Sequence, residues 1–380
     1  MQPAKSYFAS IELIRFGSAF LIVVFHAFYG WYENFGYPHF LTDGAGQLSS
    51  FGKLVENGFH NISLGVDMFF IISGFVITHI LLSEKEKNDK IDFGKYFLHR
   101  GLRILPLFYI VLAITPLYNY YFHEATPNYL NYILGLGNFE LINHGWGAAT
   151  VNPTWTLCIE IQFYLLWPFA VAFIPKQMLN RFFVSVILIS VIYRAYIFHQ
   201  DNWWMNVYMH SLSRMDVIAI GSMIALWYHN NKNVSIHIPR IIRLMIYAVF
   251  IYVYFHDDIG YWDSVFLVTV KKYFYVGVLS FAFINYLFNP TAMFAISAKH
   301  PLQRLGKITY GLYIFNILVV ALVLKAFKTY HLESMLLYYT LIFSAAILIA
   351  IISWNFIEKP FLNLKDNVFI KKLFAKKAVE

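Results

Sequence analysis

Long apolar runs separated by short polar links dominate the chain, and this pattern predicts an all-α, polytopic transmembrane helical bundle. An apolar helix of ~17 to 25 residues is long enough to cross the hydrocarbon core of a bilayer. We therefore expect one integral membrane domain over residues 1–380, embedded in the lipid bilayer, with about ten spans. The predicted spans are 10–31, 62–82, 99–121, 155–175, 181–199, 211–229, 239–256, 273–289, 308–326 and 334–357.

A weaker apolar run at 128–142 is the uncertain element of this pattern. It is short and interrupted by Gly135 and Gly137, so we expect a re-entrant or interfacial segment there. Counting it as a span would reverse the direction of every later span. The surrounding outer loop, 122–154, has no Lys or Arg and contains Asn, His, Tyr and Trp residues. Such residues line sugar sites, but they also form interfacial aromatic belts.

Composition supports the membrane assignment. With 59% hydrophobic and 13% charged residues, the chain has too little polar surface for a water-soluble globule. A net charge of +8 would suit nucleic acid, but the basic residues lie in short links between apolar runs, so no nucleic-acid partner is predicted. The single Cys158 excludes an intramolecular disulfide and a cysteine metal cluster. We predict no metal site and no permanently bound cofactor.

The distribution of basic residues predicts the orientation, because Lys and Arg accumulate in cytoplasmic loops. With ten spans and a cytoplasmic N-terminus, twenty-one of the 29 basic residues fall inside, and both termini are cytoplasmic. Three further arginines, Arg15, Arg194 and Arg214, lie within spans. The five on the predicted outer side are Lys53, Lys271, Lys272, Lys325 and Lys328. The first run is too long for a signal peptide and should remain in the mature protein.

Ionisable residues within spans are the candidate functional positions, because burial in a membrane is costly unless they face a cavity or a partner. In the first span Arg15 and His26 are eleven residues apart, which places them on one helix face about 16 Å apart. Arg15 lies near the predicted cytoplasmic mouth and His26 in the outer half. His26 could also be an ordinary buried histidine bonded to a carbonyl.

Acidic residues are predicted near the outer side together with His26. Asp67 is expected at about the depth of His26, where a carboxylate could orient the imidazole for base or nucleophilic catalysis. Glu160 is a second candidate for this role. The alternative is structural ion pairing of Asp67 with Arg214, or of Glu160 with Arg194.

A second, basic cluster is predicted at the cytoplasmic side. Arg100 and Arg103 open the third span beside Arg15 in depth, and arginines there suit phosphate groups. Anchoring by the positive-inside rule is the alternative, especially for Arg100.

Six motifs in order resemble those of the membrane-bound acyltransferase family 3. The spacing from Arg15 to His26 resembles the family's Arg-x10-His helix, with Glu12 where Asp is more usual. GVDMFFIISGF at 65–75, RGLRILPLFY at 100–109 and WTLCIEIQFYLLWP at 155–168 are similar to three further motifs. RMDVIAIG at 214–221 and WNFIEKPF at 354–361 complete the set. Ile161, Cys158 and Asn316 depart from the family pattern.

The resemblance implies an O-acetyltransferase, without an appended soluble domain, in a bacterial inner (plasma) membrane. It implies transfer of an acyl group, usually acetyl from cytoplasmic acetyl-CoA as donor substrate, to a hydroxyl of a glycan or similar acceptor. The expected catalytic residues are His26, Asp67 and Glu160, and the expected residues for the acyl-CoA phosphates are Arg15, Arg100 and Arg103. Expected substrate-binding residues are Trp155, Gln162, Tyr164, Arg214 and Asp216.

Two other functions remain open at this point. A transporter of a small polar solute would also carry His, acidic and Arg residues within spans. An inactive relative could serve as a scaffold. The acceptor and the acyl length are not defined by the sequence, and neither is the choice between His26 as general base and His26 as acyl carrier.

Overall fold

The computed structural model describes residues 5–364 apart from 199, 201–202, 232–234, 257–264 and 290–299. Within this part of the chain the secondary structure is helical, apart from one isolated bridge between Thr42 and Leu48. Both chain termini lie outside the described residues, as does residue 199 at the end of one predicted span. In chain order the helices are α1 (Lys5–Phe35), α2 (Ser50–Asn61), α3 (Gly65–Asn88), α4 (Phe93–Phe122), α5 (Tyr129–Ile133), α6 (Gly137–His144), α7 (Thr154–Phe173), α8 (Lys176–Ile197), α9 (Trp203–Met209), α10 (Ser211–Asn230), α11 (Arg240–His256), α12 (Val265–Phe288), α13 (Thr309–Thr329), α14 (Met335–Ser353) and α15 (Lys359–Asn363).

Each predicted span coincides with one long helix, and seven segments among the described residues are long and apolar enough to cross a membrane. These seven contain α1, α3, α4, α7, α8, α13 and α14. The other three long helices, α10, α11 and α12, are less apolar or shorter than the helices in these seven segments. Arg214 and Asp216 lie in α10, α11 has 17 residues, and Lys271 and Lys272 lie in α12.

The two lysines of α12 correct one part of the charge analysis. Lys271 and Lys272 were predicted in an outer loop before a span at 273–289, but α12 already begins at Val265. The ammonium of Lys272 is buried against Asp216 at 3.0 Å. This ion pair compensates the charge of Lys272 inside the bundle. These two residues therefore do not report on orientation.

Close contact between α3 and α10 forms the centre of the bundle. A Cβ atom on Gly74 would lie 2.0 Å from the carbonyl oxygen of Ile218, and one on Gly221 would lie 2.1 Å from that of Ile71. The hydroxyl of Ser222 donates to the Gly74 carbonyl at 3.2 Å. Small residues at these positions let the two backbones touch, as is typical of helix packing within membranes.

The helices α3 and α10 run in the same direction. Asp67 pairs with Arg214 near the start of both helices, and Glu86 pairs with His229 near their ends. An up-and-down order of α3, α4, α7, α8 and α10 gives this parallel arrangement, whereas a further long helix between α4 and α7 would reverse it. The run at 128–142 instead forms the short helices α5 and α6, neither of which is long enough to span a bilayer.

The helices α1 and α13 are also parallel and define the two ends of the bundle. Gly306, just before α13, lies against Glu12, and Gly30 lies against Val320 and Leu324. We call the end that holds Glu12 the inner end and the end that holds Gly30 the outer end. Short helices α2, α5, α6 and α9 lie toward the outer end. On α6, Glu140 accepts hydrogen bonds from the loop that precedes α5 and from α5 itself.

Candidate active site

A small cavity, of about 50 Å³, lies inside the inner half of the bundle, between α1, α3, α4, α7 and α13. Its wall combines two arginines with a carboxylate and several hydroxyl groups in an otherwise apolar surface. The cavity is lined by Arg15, Phe69, Phe70, Arg103, Ile104, Thr156, Leu157, Glu160, Tyr164, Thr309, Tyr310 and Tyr313.

A second cavity, of about 430 Å³, adjoins the first at the inner end. The two share Arg15, Arg103, Thr309 and Tyr310, so one continuous opening leads from the inner end into the bundle. The wider cavity is predominantly basic, since its four Arg and Lys residues outnumber its two carboxylates. Its lining residues are Glu12, Arg15, Arg103, His300, Gln303, Arg304, Gly306, Lys307, Thr309, Tyr310, Trp354, Glu358 and Leu362.

One carboxylate oxygen of Glu12 lies between the two arginines that the cavities share. It is 3.4 Å from Arg15 Nη1 and 3.7 Å from Arg103 Nη2. These separations are long for charge-assisted hydrogen bonds. The buried Nε of Arg15 has no hydrogen-bond partner among the described residues. Both guanidiniums therefore retain donors for an anionic group.

Arg100, predicted to act with Arg15 and Arg103, lies apart from the two cavity linings. Its guanidinium carbon is 5.9 Å from the ring centres of both Tyr96 and Tyr164. These contacts are within the range of cation–π interactions. Arg100 thus packs against the wall formed by Tyr164 rather than opening into either cavity.

The imidazole of His26 lies beyond the outer end of the smaller cavity. It lies beside the side chain of Asn316 on α13 and the carbonyl of Ile22 on its own helix, and its ring packs edge-on against Phe25. Its Nδ1 atom is buried and has no contact of hydrogen-bond geometry among the described residues. Asn316 is one turn along α13 from Tyr313, which lines the cavity.

Asp67 lies deeper in the bundle than predicted. Gly65 on α3 contacts Ser18 and Ile22, and Ser18 is eight residues, about 12 Å, inward from His26 along α1. Asp67 is further inward still and pairs with Arg214 at 3.0 Å. Of the two ion pairs considered from the sequence, this one forms. The expected depth was wrong because α3 begins opposite the middle of α1.

Arg214 and Asp216 occupy two separate buried clusters. The guanidinium of Arg214 lies over the rings of Phe70 and Tyr208, at 5.3 and 5.6 Å. Asp216 is fully buried and accepts three side-chain contacts, from Arg194 at 2.7 Å, Tyr273 at 2.9 Å and Lys272 at 3.0 Å. Arg194 therefore pairs with Asp216 and not with Glu160. The carboxylate of Asp216 has little remaining capacity to accept a substrate hydrogen bond.

Helix α7 directs two of its predicted site residues into the cavity. Glu160 and Tyr164 line the smaller cavity, and Glu160 also accepts a hydrogen bond from the hydroxyl of Ser73 on α3. The spacing of four residues places both on one face of α7.

The other two predicted residues on α7 are engaged with neighbouring elements. The side-chain amide of Gln162 donates to the Gly135 carbonyl at 2.8 Å and to Asn138 at 3.0 Å, while its oxygen accepts from Ser211. Trp155 is buried between Phe70 and Tyr208. Their contacts hold α6, α9 and α10 against α7.

Several cavity residues were absent from the sequence prediction. Thr156, Thr309, Tyr310 and Tyr313 are uncharged, and a single hydroxyl in an apolar run gives no signal of its own. The basic residues Arg304 and Lys307 had been counted only as cytoplasmic charges. Their position in the turn just before α13, over the opening shared with Arg15, is decided by tertiary packing.

The family comparison and the sequence comparison with known proteins both indicate an acyltransferase. A family model described as an acyltransferase domain matches residues 8–355. The chain is similar to the peptidoglycan O-acetyltransferase OatA of Listeria monocytogenes, with 22% identity over 97% of this chain and 57% of that protein. It is 26% identical to the O-acetyltransferase OatA of Staphylococcus aureus over 78% of this chain and 52% of that protein.

A third relative is the putative peptidoglycan O-acetyltransferase YrhL of Bacillus subtilis, with 23% identity over 83% of this chain and 53% of that protein. The chain thus spans about half the length of the curated relatives it matches. No solved structure matches it.

Proposed function

This chain belongs to the acyltransferase domain family, and from that premise we propose that it is a membrane O-acetyltransferase. The donor in this proposal is acetyl-CoA on the inner side, and the acceptor is a hydroxyl group of a cell-wall glycan on the outer side. The names of the three relatives, which specify O-acetyl transfer and in two cases peptidoglycan, support this choice of reaction and acceptor.

The observation that carries the proposal is the opening from a basic inner cavity to a smaller, mostly apolar one. The larger cavity has an excess of positive charge that suits the phosphates of coenzyme A. The smaller cavity extends from Arg15 to Tyr313, which is one turn of α13 from Asn316 beside His26. This geometry suits a ligand with an anionic head and a long, neutral arm that ends in a reactive group.

The proposed roles of the arginines follow from their positions. Arg15 and Arg103 line both cavities and share one carboxylate oxygen of Glu12 at more than 3.3 Å. A phosphate could replace this weak interaction with shorter, bidentate hydrogen bonds. Arg304 and Lys307, at the mouth, add long-range attraction for the donor.

His26 is the proposed general base. It takes the proton of the acceptor hydroxyl as the oxygen attacks the thioester carbonyl, the C–S bond breaks, and the coenzyme A thiolate receives the proton. Its place beside Asn316, one turn of α13 from the cavity residue Tyr313, supports this role. If His26 instead carries the acyl group, an acetylated enzyme would accumulate in the absence of acceptor.

The proposed topology has ten spans, cytoplasmic termini and a plasma-membrane location. The parallel pairs α1 with α13 and α3 with α10 support it, because each pair is separated by an even number of crossings under that scheme. The basic residues at the inner cavity also agree with the positive-inside rule. Neither the family match nor any described contact favours the transporter alternative.

The decisive experiment measures acetyl transfer by purified protein in liposomes. Acetyl-CoA and an N-acetylglucosamine oligosaccharide are supplied, free thiol is followed by absorbance, and acetylated sugar is detected by mass spectrometry. We expect both signals in the wild type and their loss in His26→Ala. His256→Ala, which removes an exposed histidine at the end of α11, is the matched control. Solute uptake without thioester cleavage would contradict the proposal and favour a transporter.

A further inference from the structure

The hydroxyl group of Tyr313 occupies a special position in the wall of the smaller cavity. Tyr313 is 7% exposed and comes from α13, and its ring packs against Phe69, another lining residue, at 5.6 Å. Thr156 on α7 donates a hydrogen bond to the Tyr313 oxygen at 2.9 Å. The tyrosine oxygen thus already has a donor on one side.

The hydrogen bond from Thr156 leaves the O–H bond of Tyr313 free to donate into the cavity. Thr156 has one hydroxyl proton and two oxygens within reach, the Tyr313 hydroxyl at 2.9 Å and the Pro153 carbonyl at 3.3 Å. When Thr156 donates along the shorter contact, the proton of Tyr313 has no acceptor among the described residues and is available to a ligand. By contrast, the neighbouring cavity residue Tyr310 donates to the Ile104 carbonyl at 2.8 Å. Tyr313 is therefore a preorganised donor in a mostly apolar cavity wall.

The position of Tyr313 along α13 relates this donor to His26. Asn316, one turn further outward, donates to the Tyr313 backbone carbonyl and lies beside the His26 imidazole. Arg15 and Arg103 lie at the opposite, inner end of the same cavity. Tyr313 is thus located between the basic opening and the histidine, where the reactive end of a donor entering from the inside would arrive.

We propose that Tyr313 is the oxyanion donor of the acyl-transfer reaction, with Thr156 as the residue that positions it. This inference rests on the proposed function and adds a catalytic residue to it. As the acceptor oxygen forms its bond to the thioester carbon, negative charge develops on the carbonyl oxygen, and the Tyr313 O–H stabilises it. The Tyr313 proton stays on its oxygen while the C–S bond breaks and the thiolate leaves.

The first test is Tyr313→Phe in the liposome assay, because it removes only the hydroxyl. Loss of an oxyanion donor lowers kcat by about 10²-fold to 10³-fold. We expect that loss with little change in the KM for acetyl-CoA, since the interaction strengthens in the transition state. Tyr338→Phe is the control for loss of a buried hydroxyl, because Tyr338 donates to the Ala27 carbonyl outside the cavity. That control should change Tm more than kcat.

A second measurement keeps the tyrosine ring intact. Thr156→Val removes the donor that positions Tyr313 and should lower kcat, whereas Thr156→Ser should retain it. The probe for all variants is a ketone analogue of acetyl-CoA in which a methylene replaces sulfur, observed by isotope-edited infrared spectroscopy. A hydrogen bond lowers the carbonyl stretching frequency, so the band should lie lower in the wild type than in Tyr313→Phe.

The outcomes separate the two proposals. No thioester turnover by the wild type, or full activity of His26→Ala, would overturn the proposed function. An active wild type with an inactive His26→Ala variant would leave that function standing. If Tyr313→Phe then kept kcat within about threefold of the wild type, or left the carbonyl band unshifted, the assignment of Tyr313 alone would be overturned.

Discussion

At the scale of single residues, the charged side chains inside the bundle include two contrasting sets. Asp67 and Asp216 each pair with a buried arginine, at 3.0 and 2.7 Å, and both pairs join different helices. Arg15 and Arg103 share only a distant carboxylate and line open space. The first set holds the bundle together, and the second is available to a ligand.

The ion pair between Asp67 and Arg214 gives a prediction about stability. Asp67→Asn leaves Arg214 buried without its counter-charge, which costs about 3 to 5 kcal/mol for a buried pair. We expect a large fall in Tm, measured by thermal unfolding in detergent. The double variant Asp67→Asn, Arg214→Gln should recover part of the loss. Purely additive effects of the two substitutions would contradict direct pairing.

The basic opening gives a prediction about donor binding. Arg103→Ala and Arg304→Ala should each raise the KM for acetyl-CoA by about tenfold, the equivalent of roughly 1.4 kcal/mol, with a smaller effect on kcat. Steady-state kinetics with acetyl-CoA test this. Arg240→Ala removes a basic residue at the inner start of α11 that lines neither cavity, and its KM should not change. An equal rise in all three variants would indicate a general charge effect.

Residue-level prediction from the sequence succeeded where spacing along one helix carries the information. The separation of Arg15 and His26 along α1 follows directly from helix periodicity. The partners of these residues come from other helices, so their identity could not be read from the same pattern. Gln162 shows this, because its amide bonds to α6 and to the turn before it.

At the scale of single helices, one feature governs packing and another stabilises a helix end. Gly74 and Gly221 allow α3 and α10 to touch along their backbones. His210 caps the start of α10, where its Nδ1 accepts the backbone N–H of Leu212 at 3.2 Å. Both features have direct effects on stability.

The glycine contact predicts strong destabilisation by a single methyl group. Gly74→Ala and Gly221→Ala would place Cβ about 2 Å from a carbonyl oxygen, so the helices must separate. We expect both variants to lower Tm by several degrees. Gly277→Ala on α12, where nothing lies within 4 Å, should keep or slightly raise Tm, because alanine favours a helix. A destabilised Gly277→Ala variant would contradict this explanation.

The cap on α10 predicts a dependence of stability on pH. Burial lowers the pKa of His210 from 6.5 to about 4, and its ring packs against Tyr193 and Phe139. Between these values the unfolded chain binds more protons than the folded one, so this contribution is lost as the pH falls from 6.5 toward 4.

The test is Tm as a function of pH in the wild type and in His210→Asn. Asparagine preserves an N-cap side chain and removes the titrating group. We expect similar Tm values at pH 7.5 and a shallower fall at acidic pH in the variant. Parallel curves for the two proteins would show that His210 does not contribute.

At the scale of the whole molecule, the directions of the helices are mutually consistent. Helix α7 runs parallel to α3, because Glu160 meets Ser73 near one end and the carbonyl of Val171 meets Lys85 near the other. Helix α14 is antiparallel to α1, with Tyr338 against Ala27 and Phe343 against Phe20. These helix directions are the ones expected if successive spans cross the membrane in alternating directions.

The proposed topology predicts which loops react with a membrane-impermeant thiol reagent. Cys158 is the single cysteine and is buried, so the wild type should be almost unlabelled. Cysteine in place of Glu333, between α13 and α14, should react in intact cells. Cysteine in place of Lys176, at the start of α8, should react only after permeabilisation. The reverse pattern would invert the proposed orientation.

The sequence alone determined the helical class, the approximate positions of the long helices and the displacement of Arg15 from His26, because apolar run length and helix periodicity are local properties. The start of α12 at Val265, eight residues before the predicted span, is an exception. Tertiary structure decided that Asp67 pairs with Arg214, that Lys272 is buried and that Thr156 meets Tyr313. Each of these contacts joins different helices. Their formation depends on interhelical packing, which no local pattern of apolar and polar residues encodes.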